Sequence, residues 1–168
     1  MTVQPVLRRV GQFWRHSSAR VSSAENARAT EILGPRLAPF FVALPVNDRR
    51  HGLDVLETIE RDGVAAPALL QQAALLHDMG KADARLSVVE RSLTVFLNRF
   101  SPSMLAGLLR IRPGFRRRYQ SYRDHAGLGA ARLRAVGATE LAAVVEEHHA
   151  EHPELDVTRR LRRADSRN

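Results

Sequence analysis

Apolar residues recur along the chain at intervals of three and four, which is the spacing of one face of an α-helix. Alternating strand patterns are missing, and the Asp62-Gly63 pair ends a helical run instead of joining two strands. Pairs such as Gly34-Pro35 and Pro113-Gly114 separate the runs. The pattern predicts an all-α, compact helical bundle. The predicted helices cover 5–15, 24–33, 35–44, 48–61, 66–79, 86–99, 102–110, 115–121, 123–136, 138–151 and 154–164.

The length of 168 residues predicts one main domain. We place this domain at 37–168, after an N-terminal helical extension at 1–36. The extension begins with a basic segment that lacks the apolar run of a signal peptide. The most apolar stretch, 93–111, is interrupted by Pro102 and therefore does not predict a membrane span. We expect a cytoplasmic protein, with peripheral contact to a membrane as the alternative.

The chain contains no cysteine, which excludes disulfides, thiolate metal sites and cysteine nucleophiles. Any bound metal must therefore be held by histidine and carboxylate side chains. The net charge is +8, and Lys81 is the one lysine among 26 basic residues. A basic excess of this size predicts attraction to polyanions such as phosphorylated substrates, nucleic acid or an acidic membrane surface.

Histidines lie on the apolar faces of four predicted helices. His77 follows Ala73 and Ala74 on a buried face and has Asp78 beside it, while His148 and His149 flank the apolar stripe of a later helix. His125 and His51 occupy similar positions in two other helices. A single histidine of this kind is usually a core residue, but a buried His-Asp pair is costly without a compensating partner. The repeated arrangement therefore predicts a metal site inside a helical bundle.

The segment LLHDMGK and the order of the histidines resemble the HD-domain superfamily of metal-dependent phosphohydrolases, an all-α fold. The resemblance runs from about Leu37 to the C-terminus. It implies an HD-type bundle in which one metal is held by a His, a His-Asp pair and a final Asp. In this chain those residues are His51, His77, Asp78 and Asp165.

The additional histidines resemble the dinuclear branch of that superfamily. The resemblance implies a second metal bound by His125, His148 and His149, with Asp78 bridging the two ions. Two divalent transition-metal ions are therefore expected, iron or manganese first, with zinc or nickel as alternatives. A metal-bridging water would attack phosphorus, and Lys81 would protonate the leaving oxygen or hold a phosphate oxygen.

The expected substrate is a nucleotide or another phosphate ester, cleaved by phosphodiesterase or phosphomonoesterase chemistry. Cyclic di-GMP is not the expected substrate, because the Gly-Tyr-Pro loop of HD-GYP proteins does not follow His149. Arginines suit phosphate recognition. The candidates for substrate binding are Arg132 and the run Arg116, Arg117 and Arg118.

Alternatives for the partner and for the function remain open from the sequence. The Arg-rich segment 110–123 also fits an acidic membrane surface or nucleic acid, and a second copy of the chain is a further candidate partner. The same ligands would serve a diiron HD-type oxygenase. A non-catalytic HD signalling or binding module would keep the fold without the chemistry.

Overall fold

The computed structural model describes residues 20–84 and 86–168, and every regular element in these two stretches is helical. The predicted all-α class is therefore confirmed, while the helix predicted at 5–15 lies outside the described residues. The helices are α1 (Ser23–Val42), α2 (Val46–Arg61), α3 (Ala68–Leu76), α4 (Lys81–Ala84), α5 (Val88–Phe100), α6 (Pro102–Ile111), α7 (Pro113–Arg123), α8 (His125–Ala135), α9 (Thr139–Glu147) and α10 (Asp156–Asp165).

Helix α1 joins two of the predicted helices across a kink. Its first turn is closed by a capping box, in which Ser22 and Glu25 satisfy each other's backbone N–H groups. At Gly34 the backbone takes φ 66° and ψ 174°, and helical geometry then resumes at Pro35. Glycine accepts a positive φ without a Cβ clash, so the chain changes direction here without a separate loop.

The main core is built by α1, α2, α3, α8, α9 and α10. Its largest fully buried side chains include Phe41, Leu56, Leu76, Leu133 and Leu161. Ala29 and Leu33, which precede residue 37, are buried in this same core. Helices from both ends of the chain thus enclose one apolar interior.

A smaller core lies beside the main one, where α4, α6 and α7 meet. Ala84, Leu86 and Phe115 are buried there, with Leu108 and Tyr122 packed against them. Helix α5 packs chiefly against α6 and has little contact with the main core. Within residues 20–84 and 86–168, no helix combines the length and apolarity needed to cross a bilayer.

Two predicted helices end earlier than their periodicity indicates, and this shortening positions the site. The helix predicted at 66–79 stops at Leu76, and the one predicted at 138–151 stops at Glu147. His77 and His148 are the C-cap residues. The ligand-bearing segments are therefore helix ends and turns, where backbone carbonyls are left without intrahelical partners.

Candidate metal centre

The fold brings all the predicted metal ligands to one place. His51 lies in α2, the His77-Asp78 pair follows α3, and His125 is the first residue of α8. The His148-His149 pair follows α9, and Asp165 ends α10. Neighbouring rings lie close, with centroids 5.3 Å apart for His51 and His77 and 5.4 Å apart for His77 and His148. These residues therefore lie in one cluster, and their binding of metal stays a prediction.

Helix ends orient three of the histidine rings in the same way. The Nδ1 atoms of His77, His125 and His148 lie 3.1, 2.7 and 2.5 Å from the carbonyl oxygens of the residues three positions earlier. These carbonyls belong to the last turns of α3, α7 and α9. A neutral ring that donates from Nδ1 presents its Nε2 lone pair on the opposite side. Each Nε2 therefore faces the cluster as a potential metal ligand.

Asp78 stands between two groups of histidines. Its Oδ2 lies 3.7 Å from His51 Nε2 and 3.6 Å from His77 Nε2. Its Oδ1 lies 3.3 Å from His125 Nε2 and 3.8 Å from His148 Nε2. Ligand atoms that are each about 2.1 Å from a common ion lie roughly 3 to 4 Å from one another. The carboxylate is therefore placed to offer one oxygen to each of two cations.

Asp165 completes the first group. Its Oδ1 lies 2.9 Å from His51 Nε2 and 3.8 Å from His77 Nε2. Burial opposes the charge of His51, but the hydrogen bond to Asp165 and the charge of Asp78 outweigh it and raise the pKa of His51. This group therefore combines two imidazoles with two carboxylates, a donor set that suits first-row divalent metals.

The second group is richer in histidine. His125, His148 and His149 share with Asp78 a set of ligand atoms that all lie within 4.8 Å of one another. His149 Nε2 lies 3.0 Å from His125 Nε2, and the His149 side chain is exposed whereas His125 and His148 are buried. Burial is the largest cause that lowers the pKa of His149 to about 4. His149 is therefore neutral near pH 7 and is a candidate ligand at the open side of the cluster.

Two buried nitrogens of the cluster have no hydrogen-bond partner. His77 Nε2 and His148 Nε2 are both inaccessible to solvent and make no hydrogen bond. Burial lowers the pKa of His77 to about 4, so the ring is neutral near pH 7 and its Nε2 carries an unused lone pair. Buried polar atoms normally find a partner. A metal ion in each group would supply this partner. The donor set therefore fits a metal.

Lys81 is the cation of the site. Its Nζ lies 2.5 Å from Asp78 Oδ2 and 5.9 Å from the centroid of the Tyr122 ring. Burial disfavours the Asp78 carboxylate, but the charge of Lys81 dominates among the opposing interactions, and the pKa of Asp78 falls well below its usual value. In return, Asp78 raises the pKa of Lys81 against the effect of burial. Both side chains are therefore charged near pH 7.

An ion pair that the sequence did not indicate ties α5 to the site. Arg91 donates to both carboxylate oxygens of Asp48, at 2.7 and 3.1 Å, and also to the Lys81 carbonyl at 3.4 Å. The helix predicted to start at residue 48 begins at Val46 with Pro45 as its N-cap, and Asp48 is buried in its first turn. Residues 43 positions apart carry no local signal of such a pair.

Gly80 brings the two ligand-bearing segments together. A Cβ atom on Gly80 would lie 2.0 Å from the His125 carbonyl oxygen and 2.8 Å from the His125 carbonyl carbon. A side chain at position 80 is therefore incompatible with this backbone contact. The glycine of the HDMGK segment thus sets the distance between Asp78 and the start of α8.

The predicted substrate-binding arginines lie on the surface of α7 and α8. Arg116 and Arg117 are exposed on α7, and Arg132 is exposed on α8, seven residues after His125. Arg118 donates to Glu90 of α5, with its shorter contact at 2.7 Å. Their role in holding a substrate stays a prediction.

Comparison with protein-family models, curated proteins and solved structures gave no match.

Proposed function

We propose that this chain is an HD-type metal-dependent phosphohydrolase whose dinuclear centre hydrolyses a nucleotide or another phosphate ester. The proposal rests on two independent supports. One is the order of His51, the His77-Asp78 pair, His125, the His148-His149 pair and Asp165, which resembles the superfamily pattern. The other is the convergence of these same residues on a single centre.

The observation that carries the proposal is the position of Asp78. One carboxylate oxygen faces His51 and His77, and the other faces His125 and His148. A site that binds a single ion needs only one such group. Two groups that share one carboxylate are the arrangement expected for two adjacent ions.

Two divalent ions would supply Lewis-acid charge at the phosphorus and lower the pKa of a bridging water. The ligand set accepts iron or manganese and also zinc or nickel. Carbonyl-anchored imidazoles hold their Nε2 atoms in place, so little reorganisation is needed when the ligands are engaged.

Lys81 is assigned to the substrate's leaving group. Its ammonium is charged and lies beside the Asp78 carboxylate, within the site. A charged ammonium at this place holds a phosphate oxygen or donates a proton to the departing oxygen. Arg91 fixes the backbone of this residue through its contact with the Lys81 carbonyl and is therefore assigned a positioning role.

The test combines metal analysis with a substrate screen. Purified protein loaded with iron or manganese is assayed against nucleotides, cyclic dinucleotides and simple phosphate esters. We expect two metal equivalents per chain and release of phosphate or of a nucleoside monophosphate. Asp78→Asn should lose both equivalents and all turnover, because it removes the shared charge. Asp156→Asn, at a side chain that is 73% exposed, is the matched control and should behave as the wild type.

Three results would contradict the proposal. Full turnover in Asp78→Asn would show that catalysis does not need the Asp78 carboxylate. Oxygen consumption with an alcohol-type substrate and without phosphate release would favour the diiron oxygenase. Failure to bind any metal after reconstitution would favour a non-catalytic binding module.

A further inference from the structure

Helix α5 has one side turned to the protein and a second side that nothing covers among the described residues. On the inner side, Thr94 and Leu97 are 1% and 3% exposed. The outer side carries Val89, Leu93, Phe96 and Phe100, which are 67%, 42%, 58% and 64% exposed. These four positions are separated by four, three and four residues, so they form one stripe along the helix.

The next helix also exposes large apolar side chains. Helix α6 packs against α5 and exposes Met104 (59%) and Ile111 (75%). The rings of Phe96 and Phe100 have centroids 4.9 Å apart, so their faces form a continuous patch. Single exposed apolar residues are ordinary, but a run of large ones marks an interaction site. We call the outer side of these two helices the α5–α6 surface.

The charge of the two helices that carry this surface is predominantly positive, with Glu90 as the one acidic residue of α5. Residues 91–123 include eight arginines and no Asp or Glu. Two of the arginines pair with acidic residues of other segments, Arg91 with Asp48 and Arg118 with Glu90. The remaining six are exposed: Arg99, Arg110, Arg112, Arg116, Arg117 and Arg123.

We infer that the α5–α6 surface binds an anionic phospholipid bilayer, with the apolar stripe at the level of the acyl chains and the arginines at the phosphates. Interfacial helices combine these two features, a large apolar face and flanking basic residues. The charge argues against a second copy as occupant, because two such surfaces would bring like charges together. Nucleic acid would use the arginines but would leave the aliphatic side chains Val89, Leu93 and Ile111 without a partner.

This inference does not depend on metal chemistry at the proposed site. The α5–α6 surface and the candidate metal centre are nevertheless joined through one helix. Arg91 lies on the inner side of α5 and contacts the Lys81 carbonyl, whereas Phe96 and Phe100 lie on the outer side. Docking through α5 would therefore place the candidate metal centre beside the membrane surface.

The test is co-sedimentation of the full chain with vesicles of phosphatidylcholine alone and with matched vesicles that contain phosphatidylglycerol. We expect binding to the anionic vesicles and weakening of this binding by salt. Phe96→Ser with Phe100→Ser should lower the partition coefficient by roughly tenfold or more, because both rings leave the interface. Arg110→Gln should lower it about fivefold.

Matched controls separate this surface from the rest of the chain. Val42→Ser with Val64→Ser removes side chains that are 55% and 61% exposed elsewhere, and Arg163→Gln removes an exposed arginine of α10. Both controls should bind as the wild type does, and circular dichroism should show unchanged helix content in every variant.

Several outcomes would overturn the inference. One is the absence of sedimentation with anionic vesicles, and another is equal sedimentation of the phenylalanine variant and the wild type. If light scattering shows a dimer that Phe96→Ser with Phe100→Ser converts to a monomer, and the protein does not bind vesicles, the occupant of the surface is a second copy of the chain. Binding to single-stranded RNA that the arginine change weakens, again without vesicle binding, would assign the surface to nucleic acid.

Discussion

At the scale of single residues, the histidines of the centre are set by backbone carbonyls at helix ends. His77, His125 and His148 each use Nδ1 at the carbonyl of the residue three positions earlier. The carbonyls of a last helical turn have no intrahelical donor, so the ring satisfies them at no cost to the helix. One local contact thus fixes the tautomer, aims Nε2 inward and satisfies the end of the helix.

The low pKa of His77 predicts a pH-dependent stability for the metal-free protein. Burial lowers this pKa from 6.5 to about 4. Between these values the unfolded chain binds the proton and the folded chain does not, so the free energy of unfolding rises with pH across this window. The contribution of His77 is on the order of 3 kcal/mol. Urea unfolding in EDTA at several pH values between about 4 and 6.5 measures this contribution.

His77→Gln should reduce this pH dependence because it removes one titrating group, whereas His149, whose pKa is also lowered to about 4, retains part of it. The exposed His152 provides the control, since His152→Gln leaves the buried cluster intact. His51 does not produce this slope, because its raised pKa gives a contribution of the opposite sign, which falls as the pH rises past 6.5. An unchanged slope in His77→Gln would show that His77 is not the titrating group.

At the scale of elements, the approach of α8 to the turn after α3 depends on the lack of a side chain at position 80. A Cβ added to Gly52 or to Gly129 would have its nearest neighbour at 3.1 Å. A Cβ added to Gly80 would lie only 2.0 Å from the His125 carbonyl oxygen. The distance between Asp78 and His125 is therefore a consequence of two backbones in contact.

Gly80→Ala should separate α8 from the turn and destabilise the protein by about 1 to 3 kcal/mol, which is the usual cost of overpacking. It should also weaken metal binding at the second group, which includes His125. Gly127→Ala, in α8, is the matched control, because a Cβ there has no neighbour within 4 Å. This control should be neutral or stabilising by about 0.5 to 1 kcal/mol. Urea midpoints and metal titrations measure both effects, and a wild-type midpoint in Gly80→Ala would contradict the prediction.

At the scale of the whole molecule, the candidate centre joins distant parts of the chain. Its ligands run from His51 to Asp165 and come from α2, α8, α10 and the turns after α3 and α9. A metal that binds only the folded chain stabilises that state by mass action. The free energy of unfolding rises by about 4 kcal/mol when the free metal concentration is a thousand times its Kd. Metal loading should therefore raise the Tm of the protein, whereas EDTA should lower it.

Variants in each group test whether two ions contribute. His51→Ala removes a ligand of the first group and His148→Ala a ligand of the second, so each should lose about one metal equivalent and part of the Tm increase. The double variant should lose the whole increase, and the surface variant His152→Ala should keep it. Calorimetry with elemental analysis provides the measurement. A full Tm increase in the double variant would place the bound metal elsewhere.

Much of the molecule follows from the sequence alone, because the signals involved are local. Apolar spacing predicted the all-α class, and Gly34-Pro35 marked a change of direction that the structure shows as a kink. The absence of cysteine and the positions of His77 and Asp78 pointed to an oxygen- and nitrogen-ligated metal. The complete set of candidate ligands was predicted from the order of these residues and its resemblance to a superfamily.

Other features depend on contacts between residues far apart in the chain, and only the tertiary structure decided them. The pair of Asp48 with Arg91, the approach of Gly80 to His125 and the division of the histidines between the two oxygens of Asp78 are of this kind. The outer stripe of α5 is amphipathic in sequence, but its exposure depends on where that helix packs. Periodicity records which residues share a face of one helix, whereas the packing of helices decides what that face meets.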